Sequence, residues 1–288
     1  MTDSRPDVLV VGDVMADVTV AAGTLAPGGD VHGEVQIRPG GAGANAAVWA
    51  SSRGAAVRLY GRTGDDLMGK LLTLALRERG VEAALSVDYV ARTGAMLVVR
   101  EEGERSMVAD RGANAHLDAG DLPSSLEAGA VLVSGYLLFD PGSEEAAVAA
   151  LERAGAPLIA VEGASWPLLA RYGRARFFDS TVCANLLLVN EREAMALAEL
   201  PDNLLEHYAH VCVKLGRRGA LYLSADRPPL RVPTSPVPDV DPTGAGDAFD
   251  GALLASLVRG LAVQDALRDA CLAGAQAASS PNPWPELP

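Results

Sequence analysis

Lysine is almost missing from this chain. Of 24 basic residues only Lys70 and Lys214 are lysines, against 37 acidic residues and a net charge of −13. That balance argues against a nucleic-acid groove or an anionic membrane surface as the main partner. It leaves room for a local anion site built from backbone amides. Cysteine is scarce as well. Cys183, Cys212 and Cys271 lie far apart and form no CxxC pair, and they read as buried, reduced thiols. Apolar runs are short. The best, residues 130–139, contains Ser134 and Gly135 and falls well below the roughly 18 residues of a membrane span. Residues 1–6 lack the charged-then-apolar order of a secretion signal, so a cytoplasmic location is expected. With 49% hydrophobic and 21% charged residues the chain is ordinarily globular, which excludes disorder as its main state.

Short apolar strands alternate with helical patterns along most of the sequence. Residues 8–11, 57–60, 131–133, 157–161, 186–189 and 211–213 read as buried strands. Residues 44–53, 66–79, 143–154 and 191–200 read as helices between them. The alternation predicts a parallel sheet covered by helices on both faces. Two stretches, 14–37 and 87–110, instead hold half-polar alternating strands with no helix between them. The second contains a hairpin pattern, 93–100 and 105–109 around Glu101-Glu102-Gly103-Glu104. They read either as one small sheet over the strand ends, a lid or dimer clasp, or as two unrelated surface hairpins. The proline-rich tail 279–288 reads as loosely held, and Trp49, Trp166 and Trp284 as packing residues.

The densest chemistry is Asp241-Pro242-Thr243-Gly244-Ala245-Gly246-Asp247. An amphipathic helix is expected to follow, with Phe249, Ala252, Leu253, Ser256 and Leu257 on one face and Gly260 closing it. Residues 244–247 would then sit at a helix N-terminus, where free N–H groups and the helix dipole favour an anion. Asp247 there is either a first-turn carboxylate or a general base beside an anion hole. The crowding of Thr, two Gly and two Asp favours the second. A further cluster, 39–45, also opens a helix. Residues 41–46 fit the loose GxGxxA dinucleotide fingerprint, yet the preceding strand is polar and no acid ends the next one. Residues 64–71 imitate a Walker loop. Leu71 stands where Ser/Thr would bind Mg²⁺, and Asp65 and Asp66 would repel phosphate, so Asp66 reads as a helix cap. Asn190 and Glu193 follow a strand at its C-terminal end. So does Lys214-Leu215-Gly216 with Gly219, which faces a nucleotide or simply turns a hairpin. His207 and His210 read as solvated helix residues.

Taken together these motifs resemble the ribokinase-like (pfkB) family of carbohydrate and nucleoside kinases, over residues 8–278. Residues 241–247 match its C-terminal signature completely. Gly40, Gly41, Asn45, Gly61, Gly64, Asp65 and Gly69 match the N-terminal one, Asn190 and Glu193 its NxxE motif, and Gly12 to Asp17 its opening strand. The resemblance implies an α/β three-layer sandwich with a mostly parallel sheet and a small β-sheet lid. One domain would span 1–288, with lid strands at about 14–37 and 87–110. Asp247 would take the proton of a primary hydroxyl, and the amides of Gly244, Ala245 and Gly246 would stabilise the transferring phosphoryl group. Asp17, Asp13, Gly41 and Asn45 would bind the acceptor. Asn190, Lys214, Gly216 and Gly219 would lie on the ATP side. Glu193 with Asn190 would hold the water shell of Mg²⁺, and Asp241 and Thr243 a K⁺ ion. Two lids would pair across a homodimer.

Met15, where Asn is usual, and Ala42, where Lys is usual, alter the acceptor pocket. Glu162-Gly163-Ala164-Ser165 departs from the family pattern, and the short 279–285 loop leaves the adenine contacts unassigned. The expected activity is ATP-dependent phosphorylation of a small sugar or sugar acid. Adenosine- or pseudouridine-type nucleoside kinases and a catalytically silent sugar-binding regulator are the alternatives, with a nicotinamide reductase third. A sugar phosphate is disfavoured, since Arg38 is the only nearby cation.

Overall fold

The computed structural model describes residues 5–22, 28–101, 104–238 and 240–286. The hairpin tip at 102–103, the middle of the first lid excursion at 23–27, Asp239 and both chain ends lie outside them. Seven strands run parallel in the spatial order β5 (Val81–Asp88), β4 (Val57–Gly64), β1 (Val8–Val11), β9 (Ala130–Val133), β11 (Leu158–Glu162), β12 (Leu186–Asn190) and β13 (His210–Lys214). β14 (Ala220–Ser224) and β15 (Arg227–Val232) continue the sheet antiparallel. β8 (Leu126–Glu127) and β10 (Ala154–Gly155) make a separate two-stranded ribbon.

Continuous apolar strands of this kind need cover on both faces, and two cores supply it. Val8, Val10, Leu59, Leu132, Leu188 and Cys212 face α1 (Ala42–Ser52), α2 (Leu67–Glu78), α7 (Ala245–Val258) and α8 (Val263–Ala278). Leu9, Val11, Val131, Val161, Leu187 and Val213 face α3 (Glu144–Glu152), α4 (Trp166–Tyr172), α5 (Arg174–Ser180) and α6 (Glu191–Leu197). The result is a three-layer α/β sandwich. Asp66 caps α2 as its position suggested, accepting from the Gly69 N–H at 2.8 Å.

Several local expectations are corrected. α7 is not amphipathic. Ala248 through Ser256 are all buried, because α1 and α8 pack on its flanks through small residues, Ala248, Ala252, Ala273 and Ala277. The approach of α1 is close enough that a Cβ on Gly251 would lie 2.1 Å from the Ala46 carbonyl oxygen. Cys183 is exposed; Cys212 and Cys271 are buried. His207 ends a 3₁₀ turn and stacks on Phe178 at 3.7 Å, while His210 is a strand residue bonded to the Tyr222 hydroxyl. Neither is on an α-helix.

The tail is held, not loose. Trp284 is 3% exposed, the Trp49 indole donates to the Pro283 carbonyl at 2.7 Å, and the Arg79 guanidinium lies over the Trp284 ring. Alternating proline and polar residues hid the one large anchor in this stretch.

The half-polar stretches form one four-stranded sheet. β2 (Met15–Ala22) lies between β3 (Gly33–Gly40) and β6 (Gly94–Glu101), with β7 (Glu104–Asp110) beyond β6. Residues 87–88 belong to β5 of the main sheet instead. Alternation divides the small sheet into two faces. Asp17 pairs with Arg38 and Met96 in register, and Met96 with Ala109; Val18 pairs with Ile37 and Leu97, and Leu97 with Val108. The first row faces the strand ends of the main sheet. The second faces outward.

Candidate active site

Three neighbouring parallel strands end in polar residues: β11 in Glu162, β12 in Asn190 and β13 in Lys214. Beyond them the strand order reverses at β1 and β9, the place where open α/β sheets bind ligands. Two cavities meet there. One, of about 580 Å³, lies under the lid and is lined by Asp13, Asp17, Asn45, Tyr136, Glu162 and Asp247. The other, of about 440 Å³, lies on the far side of the α7 N-terminus and is lined by Gly219, Pro236, Val237, Phe249, Cys271 and Ala275. Lys214, Gly216 and Gly246 line both.

The α7 N-terminus is built from the turn before it. Asp241 accepts from the Thr243 N–H at 3.0 Å, and Gly244 adopts φ 76, which glycine tolerates and a side chain would resist. Gly244 and Gly246 line the lid-side cavity. Ala245, expected to offer its amide with them, donates that N–H to the Pro242 carbonyl at 3.2 Å. Asp247 stands in the first turn, and Asn45 Nδ2 donates to its Oδ2 at 2.8 Å. Burial raises the Asp247 carboxyl to about 6, while the Asn45 hydrogen bond and the Lys214 ammonium pull the other way.

One helical turn deeper, Asp250 is fully buried and accepts from Lys214 Nζ at 2.6 Å. Burial works against the Lys214 charge, yet Asp250, Glu193 and Glu162 outweigh it and hold the ammonium above its usual range. Asn190 and Glu193 form a capping box. The Asn190 side chain accepts from the Glu193 N–H at 3.0 Å, and Glu193 accepts from the Asn190 N–H at 2.8 Å and from Asn190 Nδ2 at 2.5 Å. So the pair both starts α6 and lines the cavity. Glu162, 4% exposed, accepts from the Ser134 hydroxyl at 2.5 Å, and burial together with Asp247 and Asp250 pushes its carboxyl well up.

On the lid side Asp17 lines the cavity with Gly41 and Met15. Asp13 lines it too, but Arg111 takes its carboxylate, with Nη2 at 2.8 Å and Nε at 3.3 Å. Gly41 adopts φ 96, and a Cβ there would strike the Asp13 carbonyl at 2.5 Å, so it seats α1 against the β1 exit. Asp241 and Thr243 line a cavity of about 20 Å³ with Asp17, Arg38, Ser280 and Pro281. Gly216 and Gly219, both at positive φ, turn the chain from β13 to β14 beside the far cavity.

The structure therefore brings the sequence-selected residues to one place. Asp250, Tyr136, Arg111, Met96 and Met107 carried no assignment from the sequence. Asp250 had a signal, being three residues after Asp247 on the same helix. Arg111 and Met107 had none, since the lid register alone brings them in.

This arrangement has counterparts. The model of pfkB family carbohydrate kinases matches residues 5–288, and the chain belongs to that family. It is 29% identical to a ribokinase of Arabidopsis thaliana over 98% of this chain and 79% of that protein. The adenosine kinase of Sinorhizobium meliloti superposes with a TM-score of 0.87 at 22% identity, covering 99% of this chain and 97% of that one. A putative ribokinase II from E. coli in complex with ATP and Mg²⁺ superposes with a TM-score of 0.87 at 24% identity, covering 96% and 94%. The fold is that of the ribokinase-type kinases, and the chain is an ATP-dependent kinase of the pfkB carbohydrate kinase family.

Asp17 gives a testable consequence. Burial, then the charges of Asp247 and Asp241, raises its carboxyl to about 7, against about 3.9 in an unfolded chain. A carboxyl raised on folding stabilises fully below the unfolded value, and that stability is lost as pH rises through the folded value. Asp17→Asn removes the penalty. Its Tm advantage over the wild type should be near zero at pH 4 and grow up to pH 8, as measured by differential scanning fluorimetry. A pH-independent difference would contradict it.

Proposed function

We propose that the chain transfers the γ-phosphoryl group of ATP to a primary hydroxyl of a small sugar or sugar acid. The observation that carries this reading is the position of Asp247 at the α7 N-terminus where the two cavities meet. The acceptor occupies the lid-side cavity, with its hydroxyls on Asp17 and Asn45. ATP occupies the other, its triphosphate reaching Lys214 past Gly216 and Gly219. As the hydroxyl oxygen attacks phosphorus, its proton passes to Asp247 and the bond to the ADP oxygen breaks. The Gly244 and Gly246 amides and the helix dipole meet the charge on the moving group. The Lys214 ammonium meets it from the strand side. Positioning and electrostatics carry most of such a transfer.

Mg²⁺ fits the oxygens present. Glu193 and Asn190 offer hard donors at the cavity wall. No three acidic, histidine or cysteine side chains close on one point among the described residues, which suits an ion held chiefly by water and phosphates. When bound, it neutralises phosphate charge.

A nucleoside is the second reading, and one feature favours it. Met15, Met96, Met107 and Leu168 line the acceptor cavity, and methionine walls adapt to flat apolar groups. ADP release with a panel of ribose, fructose, sugar acids and nucleosides ranks the two readings, and no release with any of them sinks both. Asp247→Asn keeps the size of the base but accepts no proton. Its kcat should fall by roughly 10²- to 10⁴-fold with ATP binding retained. In the wild type, kcat/KM should fall as pH drops below about 6, the value of the buried base, whereas an ordinary aspartate would hold to about 4.

The cation and assembly readings rest on separate features. A K⁺ ion beside Asp241 and Thr243 would brace the turn that aims the amides. Replacing Na⁺ by K⁺ at matched ionic strength should then raise the rate, and Asp241→Ala should abolish the response. On the outer lid face Val35, Ile37 and Val108 are 61%, 59% and 63% exposed, paired in register with Val20, Val18 and Leu97 respectively. A second lid covering this face makes a homodimer. Light scattering should give a dimeric mass for the wild type and a monomeric mass for Ile37→Glu; a monomeric wild type overturns the assembly.

A further inference from the structure

Asn45 is held from two sides. Its Nδ2 donates to Asp247 Oδ2 at 2.8 Å, and its Oδ1 accepts from the Trp284 indole N–H at 2.8 Å. Asn45 and Trp284 are each 3% exposed. An indole N–H only donates, and a carboxylate only accepts. The amide between them therefore has one satisfactory orientation. Turning it over would set NH₂ against N–H and oxygen against carboxylate, losing both bonds and leaving the buried indole N–H without its acceptor.

Trp284 is itself fixed. Its backbone N–H donates to Asn282 Oδ1 at 3.2 Å, Pro283 accepts from the Trp49 indole, and the Arg79 guanidinium lies 5.6 Å from the Trp284 ring centroid. Pro283 also bears on the α7 turn, since a Cβ on Gly244 would lie 2.9 Å from Pro283 Cβ.

We propose that Trp284 is a positioning residue for phosphoryl transfer: its indole N–H orients the Asn45 amide so that Asn45 holds Asp247 Oδ2 and leaves Oδ1 to receive the acceptor's proton. The proposal rests on the kinase reading above. It assigns Trp284 no contact with either substrate. It also gives Asn45 a second duty besides binding the acceptor.

Trp284→Phe keeps the ring in its pocket and removes only the donor. With the acceptor that gives the fastest ADP release from the panel, its kcat should fall about ten- to hundredfold while the KM for ATP stays within twofold. Its acid limb should move to higher pH, because Asp247 loses a hydrogen bond that favours its ionised form. Asp247 is also faced by Lys214, Glu162, Glu193, Asp250, Asp17 and Tyr136. None of these is hydrogen-bonded to the Trp284 indole, so a displaced limb reports the amide.

In an Asn45→Ala background Trp284→Phe should change nothing further, since its effect runs through that amide. Equal losses in both backgrounds, or a kcat within twofold of wild type, would overturn the proposal. Should Trp284→Phe fail to fold, the ¹⁵N-indole spectrum of the wild type decides. The Trp284 resonance, identified by elimination with Trp49→Phe and Trp166→Phe, should follow the titration of Asp247, and a pH-independent resonance overturns the relay. A wild type that releases no ADP with any acceptor removes the kinase reading, and this proposal with it.

Discussion

A single, partly buried ammonium organises this site. Lys214 lies among Asp250, Glu193 and Glu162, with Asp247 beside it. Without that charge, four carboxylates would crowd one poorly solvated corner, and most would have to carry a proton. With it, Asp250 is paired at 2.6 Å and the Asp247 carboxyl is held to about 6 despite its burial. The same pair ties the end of β13 to the second turn of α7. Removing one partner of such a buried pair typically costs about 3–5 kcal/mol, so the tie serves the fold as much as the chemistry.

The location follows from how parallel sheets are made. Every parallel strand delivers its chain exit to the same edge, so Asp13, Ser134, Glu162, Asn190 and Lys214 gather there from distant parts of the sequence. Helix N-termini point to that edge too, which places the α1 and α7 turns beside them. The lid covers this edge with its polar row and Met96. The outer row, Val18, Ile37, Leu97 and Val108, takes no part in the cavity.

Much of this was legible in the residues. The apolar runs marked the parallel strands because buried strands need no polar face. Asp241 to Asp247 marked the α7 turn because glycine is needed where backbone meets ligand and Gly244 takes positive φ. What was hidden depended on depth or on distant pairing. Asp250 reads as an ordinary helix acid until its burial is known. α7 reads as amphipathic because its alanines and glycine carry little hydrophobic signal, although they let α1 and α8 close around it. Trp284 reads as a packing residue because its partner, Asn45, is 239 residues away.

The lid's two faces share one strand. In β2, Asp17 turns to the cavity of about 580 Å³ and Val18 to the exterior, and the pattern continues through Thr19 and Val20. Inserting or deleting one residue in β2 would exchange the faces, setting a carboxylate outside and a valine over the cavity. A pair of residues would restore the alternation. This strand should therefore tolerate length changes of two far better than changes of one, so the reading of its insertions would be binary: even lengths keep a pocket and a covering surface together, and odd lengths lose both at once.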